Sequence, residues 1–411
     1  MACARVLLTW LPRLLVPLAA SLGCAAEEEA PDESESATAD ELTRIPQTVV
    51  KDQLRVGNCW IYTTLAWTES LVLGAVGMPG SSAKSADISE NWLAYWYWYD
   101  QIANGGFEGF VGNPDAVTQG ANVTRAFELI ARYGIVAENG FKSTVTAEGA
   151  VAAFDRELTS GALKYRSARL NKTLVRRTLD LAFGLPAATV QAMDELFGAD
   201  GRTTLPTSGA LPAASRVLGL ARASGLEVRL PNPTTHAPEL RRLSDALGTG
   251  NRAYAWTRVS APSAGAADRQ FLKRVQRALN DGYPLPISWM VDFKQRKQDR
   301  ITFDSASGRV NTGNGGWHAS LLSDYTAENV PGFGTLPAGR PETRPAALEA
   351  SLSDQTVISL IRVKNSWGAY VKAQDPLQVS GYSDMTRKYY AGGIDGGSER
   401  TWREVRLPAG Y

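Results

Sequence analysis

From Cys59 to Leu73 the apolar residues Ile61, Leu65, Trp67, Leu71 and Val72 recur near helical spacing, which predicts a helix opened by a Gly57-Asn58 turn. A second helix starts in Ile88-Ser89-Glu90-Asn91-Trp92-Leu93, with Ser89 as its N-cap. The aromatic run Tyr95 to Tyr99 follows. These rings either line a cleft or pack the helical part of the molecule, and packing is the preferred reading. A third helix over Val123 to Tyr133 closes at Gly134, a residue suited to a helix C-cap. From Tyr283 the pattern changes to strands, at Leu285 to Val291, His318 to Tyr325 and Val357 to Asn365. Arg300 to Phe303 and Arg309 to Asn311 flank a Ser-Ala-Ser-Gly turn and predict a hairpin.

Between the helical and strand-forming parts lies a long stretch, Lys142 to about Asp281. Apolar and basic residues alternate at helical spacing in 174–183, 216–223, 240–247 and 271–279, so a mostly helical insertion is expected over 142–281. His236 sits in a Pro- and Thr-rich loop and is expected to be exposed, with no metal, since no second His or Cys lies nearby.

The N-terminal stretch has a different character. Residues 1–23 carry Arg5 and Arg13, then an apolar run from Leu14 to Leu22, the pattern of a secretion signal. Ser21-Leu22-Gly23-Cys24 resembles a bacterial lipoprotein cleavage box, with Ser21 where Leu is usual. That resemblance implies lipidation of Cys24 and a cell-envelope membrane location; plain secretion or a retained anchor are the alternatives. Residues 25–42 are acidic and rich in Ala and Ser and read as a flexible tether. Residues 43–411 form the globular body.

The 411 residues are 44% hydrophobic with a net charge of +1. That balance gives no ground for nucleic acid as a partner, and leaves the membrane only as a lipid-anchor contact. Of three cysteines, Cys3 and Cys24 fall in the leader and Cys59 stands alone in the body, so no disulfide forms within it. There is no phosphate-binding glycine loop and no Gly-x-Ser-x-Gly elbow, and no cofactor or metal is expected.

A thiol on the first turn of a helix is held where the N–H groups and the dipole favour an anion. Cys59 is therefore a candidate nucleophile. One of only two histidines, His318, opens an apolar strand after Gly313-Asn314-Gly315-Gly316 and is a candidate base. Alone, a buried Cys is inert and a strand-end His is structural. Gln53, six positions before Cys59, is close enough to fold its amide over the sulfur.

Three motifs change the weight of these residues. Gln53-x5-Cys59-Trp60, Gly316-Trp317-His318-Ala319 and Lys364-Asn365-Ser366-Trp367-Gly368 stand in that order. Together they resemble the papain-like cysteine peptidases, over roughly 48–141 and 283–390. The short span between Cys24 and Cys59 leaves no room for a long inhibitory pro-segment. That is similar to the bleomycin hydrolase and bacterial aminopeptidase branch, which is usually cytosolic.

The resemblance implies an α+β fold of two lobes, a helical N-terminal lobe and an antiparallel β lobe, with the 142–281 insertion added. It implies a Cys59–His318–Asn365 triad that hydrolyses peptide bonds of peptide or protein substrates through a thioester. Gln53 is implied as oxyanion donor, Trp367 as a cover over the Asn–His contact, and Gln119 and Gly120 as a substrate-binding edge, here without the family's second glycine. Asn58 replaces the usual Ser or Arg before the nucleophile. A binding module without turnover, and an amidase or acyl transferase using the same triad, remain alternatives. Side-chain preference, endo- or aminopeptidase action, oligomeric state and a C-terminus seated in the cleft are open.

Overall fold

Residues 45–84, 86–105, 115–206, 208–262, 266–369, 377–395, 397 and 399–411 are described by the structure, a computed structural model. The expected signal, Cys24 and the tether lie outside the described residues.

Helix α1 (Cys59–Ala75) is buried on nearly every side, its polar Thr63, Thr64, Thr68, Glu69 and Ser70 included. Helix α2 (Glu90–Ala103) packs beside it. Every ring from Trp92 to Tyr99 on α2 is at most 1% exposed, so these aromatics pack the helical layer rather than line a cleft. Trp96 stacks on Tyr133 at 4.1 Å and 9°, a geometry worth ~0.5–1.5 kcal/mol beyond the burial itself. Tyr133 ends α3 (Val123–Tyr133), whose N-cap Asn122 accepts from Arg125 N–H. Gly134 terminates α3 with φ 69°, and a Cβ there would lie 2.6 Å from the Ala221 carbonyl.

The 142–281 stretch is helical only in its first part. Helices α4 (Ala147–Thr159), α5 (Arg166–Arg169), α6 (Lys172–Ala182), α7 (Ala187–Phe197) and α8 (Ala214–Leu218) are followed by an antiparallel hairpin, β1 (Glu227–Pro231) with β2 (Pro238–Arg242). The helices expected at 216–223 and 240–247 are thus corrected to the short α8, strand β2 and the single turn α9 (Leu243–Ala246). The Asn232 side chain accepts from Thr234 and Thr235 N–H and closes the loop, and Val228 and Leu230 alternate inward along β1, which packs on α1. Pairing with β1 across this loop therefore wins over the helical pattern at 240–247. Strand β3 (Thr257–Ser260) then joins the main sheet, and α10 (Ala266–Asn280) completes the region.

His236 is half-buried rather than exposed. It has φ 59° and stacks on Tyr411 at 4.2 Å and 19°, with Nε2 3.1 Å from the Gly410 carbonyl. Tyr411 is seated there, its hydroxyl donating to Asp281 at 2.6 Å.

The sheet contains β4 (Leu285–Met290), β5 (Thr302–Phe303), β7 (Trp317–Val330), β8 (Gly334–Leu336), β9 (Val357–Lys364), β10 (Tyr382–Thr386) and β12 (Trp402–Leu407), besides β3. Its order is β3-β12-β4-β7-β9-β10-β5, with β8 on β7. All pairings are antiparallel except β10 with β5. Strand β6 (Arg309–Val310) pairs with β11 (Gly393–Ile394), and short helices α11 (Pro345–Ala350) and α12 (Arg387–Tyr390) pack outside.

The hairpin expected from 300–303 and 309–311 does not form. Ser305 Oγ occupies both the N–H and the C=O of Arg309, at 2.9 and 2.7 Å, so β5 and β6 find partners in β10 and β11 instead. The fold is α+β, with helices first and a largely antiparallel sheet second.

Register does the positioning. Trp289 on β4 lies opposite His318 on β7, and Leu321 on β7 lies opposite Lys364 on β9. A two-residue step therefore carries the chain end of β9, Asn365, toward His318. Gly315 is required beside it: a Cβ there would stand 2.3 Å from the Val291 carbonyl.

One buried ion pair crosses this sheet. Arg362 is bidentate to Asp384 at 2.7 and 2.8 Å, both nearly fully buried. Burial pushes the nearby Asp324 carboxyl up to about 6, against the pull of Gly339 and Tyr325 N–H and of Arg362. Arg362→Met leaves Asp384 buried and uncompensated. The expected cost is about 3–5 kcal/mol in urea unfolding, and a loss below about 1 kcal/mol would show that the pair contributes little.

Candidate active site

The turn before α1 is braced from the α3 side. Gly57 N–H donates to Gln119 Oε1 at 2.7 Å, and Trp60 Nε1–H donates to the Gln119 carbonyl at 2.9 Å. Gln119, expected on a substrate edge, thus holds the turn before Cys59 with both of its oxygens. Gly120 is exposed, its carbonyl bonded by Tyr97 O–H at 2.8 Å, and a Cβ on it would meet nothing within 4 Å. Asn58 is buried as the N-cap of α1 and makes no side-chain cap bond. Its carbonyl accepts from Ile61 N–H at 2.8 Å.

Cys59 is the first residue of α1 and 8% exposed. Its sulfur accepts from Ala319 N–H at 3.4 Å, which brings the backbone beside His318 directly against the thiol. Cys59, His318 and Ala319 line one small cavity of about 50 Å³. Its other walls are Ala121 to Val123, Pro286 to Ser288, Trp317 and Glu404 to Arg406. Strand β12 thus contributes to this cavity, whereas the terminal Tyr411 is seated at His236.

His318 is buried, with Nε2 2.7 Å from Asn365 Oδ1. The amide orientation of Asn365 follows from its other bonds. Its Nδ2 donates to Ser383 Oγ at 3.1 Å, and its Oδ1 accepts from Ser366 N–H at 2.8 Å. An amide oxygen only accepts, so the imidazole proton sits on Nε2. Nδ1, buried and with no hydrogen-bond partner among the described residues, keeps its lone pair. The Trp367 ring lies 4.7 Å from the imidazole at 31°, and Trp289 meets it edge-on at 5.8 Å. Burial pushes the His318 pKa down to about 4, opposed in part by the bond to Asn365.

Gln53 is buried beneath this group. Its backbone N–H donates to the Ser366 carbonyl at 2.8 Å, its Oε1 accepts from Ser366 Oγ at 2.5 Å, and its Nε2 donates to the Val56 carbonyl at 2.9 Å. One amide N–H of Gln53 is thereby spent within its own loop. Ser366 and Ser383, which orient Gln53 and Asn365, were missed by sequence reasoning. Ser366 carried a signal as the neighbour of Asn365; Ser383 carried none. Among the described residues no group of three or more His, Cys, Asp or Glu is placed to hold a metal, and no helix is long and apolar enough to cross a membrane.

No family model and no curated protein matches the chain. Solved structures that resemble it include PepW from Lactobacillus rhamnosis, at 14% identity over 90% of this chain and 82% of that one, TM-score 0.39. Xylellain, a cysteine protease from Xylella fastidiosa, matches at 14% identity over 94% and 96%, TM-score 0.35. A clostridial cysteine protease matches at 9% identity over 88% of this chain and 54% of its own length, TM-score 0.34.

The buried imidazole sets a pH dependence. In Cys59→Ala protein no thiolate pairs with His318, and its native pKa of about 4 lies below the unfolded value of about 6.5. Between these two values the unfolded chain binds more protons, so stability is full above pH 6.5 and falls as pH drops toward 4. Comparing Cys59→Ala with Cys59→Ala/His318→Gln by denaturant unfolding at pH 6.5 and 4 should show a smaller loss in the double variant, by on the order of 1–3 kcal/mol. Equal losses would overturn the assignment of a buried neutral imidazole.

Proposed function

We propose that the chain is a cysteine peptidase in which Cys59, His318 and Asn365 act as a triad. The observation that carries this reading is the pairing of His318 Nε2 with Asn365 Oδ1 at 2.7 Å, which leaves Nδ1 as the lone-pair nitrogen of a ring that lines the same cavity as Cys59. Nδ1 takes the thiol proton, and the thiolate attacks the peptide carbonyl. Collapse of the tetrahedral adduct breaks the C–N bond, and the imidazolium returns its proton to the leaving amine. Water then attacks the thioester with Nδ1 as base and frees Cys59.

Helix α1 offers its N-terminal N–H groups to the oxyanion. The second amide N–H of Gln53 is the side-chain donor in this reading, worth roughly a hundredfold in rate. The Ala121–Val123 segment after Gly120 forms the substrate edge, and Trp367 keeps water from the Asn–His bond.

Location belongs to the same proposal. Lipidated Cys24 and the tether at 25–42 hold the body 43–411 at a cell-envelope membrane. A bacterium expressing the full chain should incorporate a fatty-acid label into wild type and not into Cys24→Ala, and equal incorporation in the two would remove the anchor.

The enzymatic claim is tested with peptide-amide substrates and an epoxide thiol inhibitor. Wild type should turn over and be labelled at Cys59, Cys59→Ala should lose both, and Gln53→Ala should lose roughly a hundredfold in kcat. Full function retained by Cys59→Ala would mark the site as a binding module.

A further inference from the structure

The strap 48–53 runs between the two parts of the site and is bonded to both. On the sheet side, its backbone pairs with the segment after Asn365. Gln53 N–H donates to the Ser366 carbonyl at 2.8 Å, Gly368 N–H donates to the Lys51 carbonyl at 3.3 Å, and Asp52 bridges Trp367. On the helix side, its side chains grip α1 and α2. Lys51 Nζ reaches Glu69 Oε1 of α1 at 3.4 Å, Glu90 of α2 at 3.2 Å, Asp87 at 2.7 Å and the Ile88 carbonyl at 2.8 Å. Burial lowers the Lys51 ammonium pKa, but Glu90, Glu69 and Asp87 outweigh it and hold the group above its usual value.

Thr48 joins the two sides through one oxygen. Its hydroxyl donates to Glu69 Oε2 at 2.6 Å and accepts from Lys364 Nζ at 2.9 Å, while Lys364 Nζ also donates to the Thr48 carbonyl at 2.6 Å. Lys364 is the residue before Asn365, and Glu69 lies on the helix that starts at Cys59. Glu69 is 1% exposed and Lys364 5%. Desolvated charges of this kind hold their geometry tightly, because a loosened partner leaves a buried charge unpaired.

We infer that Thr48, with Glu69 and Lys364, is a positioning clasp that sets Asn365, and through it the His318 ring, relative to Cys59. The inference rests on the peptidase reading only for its rate effect, since the geometry of the thiol and imidazole is measurable without turnover. None of the three touches the reacting atoms. Each acts by fixing where the amide oxygen of Asn365 stands, and displacing a positioned group by about 1 Å costs on the order of a hundredfold.

The test is Thr48→Val, which keeps the side-chain shape and removes the hydroxyl, compared with Thr48→Ser. Two quantities are read at matched folding: the pH profile of Cys59 alkylation by iodoacetamide, and kcat and KM on a peptide amide. Thr48→Val should move the alkylation midpoint up toward that of an unassisted thiol, about 8.5, and lower kcat on the order of ten- to a hundredfold with KM within about twofold. Thr48→Ser should restore both. If Thr48→Val does not fold, Glu69→Gln, which exchanges one acceptor oxygen for a donor, is read in the same way. Wild-type midpoint and kcat in a folded Thr48→Val or Glu69→Gln, with only a lowered Tm, would overturn the clasp. A wild type with a low alkylation midpoint that Thr48→Val raises, but with no turnover, would support the clasp and sink the peptidase reading alone.

Discussion

An amide oxygen cannot donate, and that single restriction orders the site. Asn365 Oδ1 is already met by Ser366 N–H at 2.8 Å, so the imidazole atom that approaches it must bring a proton. The ring is then left with one available lone pair, on Nδ1, and His318 lines the same cavity as Cys59. Had Asn365 been rotated by half a turn about its last bond, the opposite tautomer would be favoured and Nδ1 would hold the proton. Ser366 N–H, which can only donate, opposes that rotation, whereas the Ser383 hydroxyl can serve either amide atom.

Burial raises the stakes of this arrangement. With Trp367 and Trp289 against the ring, water cannot substitute for a lost partner, and a wrongly placed proton would stay wrong. The low dielectric strengthens each correct bond and penalises each missing one. The same condition explains why the strap 48–53 is so heavily bonded. The helix that carries the sulfur and the strand that carries the imidazole belong to different layers, and their relative placement is set across a boundary where polar groups have little solvent to fall back on.

Much of this was legible in the sequence, for local reasons. The far end of helix α3 was legible because Gly134, with its positive φ, marks it chemically; the Asn122 cap at its start was not read from the sequence. The start of α1 at Cys59 followed from the Gly57-Asn58 turn. Gln53, Cys59, His318 and Asn365 were found as motif residues, and the fold brings them into one neighbourhood. What escaped was set by distant partners. The hairpin at 300–311 had acceptable strand residues on both flanks, yet Ser305 claimed the backbone groups of Arg309. Strand β2 carried a helical spacing of apolar residues, but the Asn232 loop returned the chain upon β1. Gln119 was noted for its neighbour glycine, while its role as a brace depended on Gly57, which is far away in the sequence. Thr48 had no motif at all.

Strand β12, drawn from the C-terminal part of the chain, lies in the interior of the sheet between β3 and β4. During synthesis the helices and the other strands of the sheet emerge before it, so β4 presents an open edge until β12 has followed it. Such an edge is a template for pairing with other chains. Assembly of the sheet is therefore governed by long sequence separations, and the cavity wall that β12 supplies beside Cys59 comes into being only once that strand has docked.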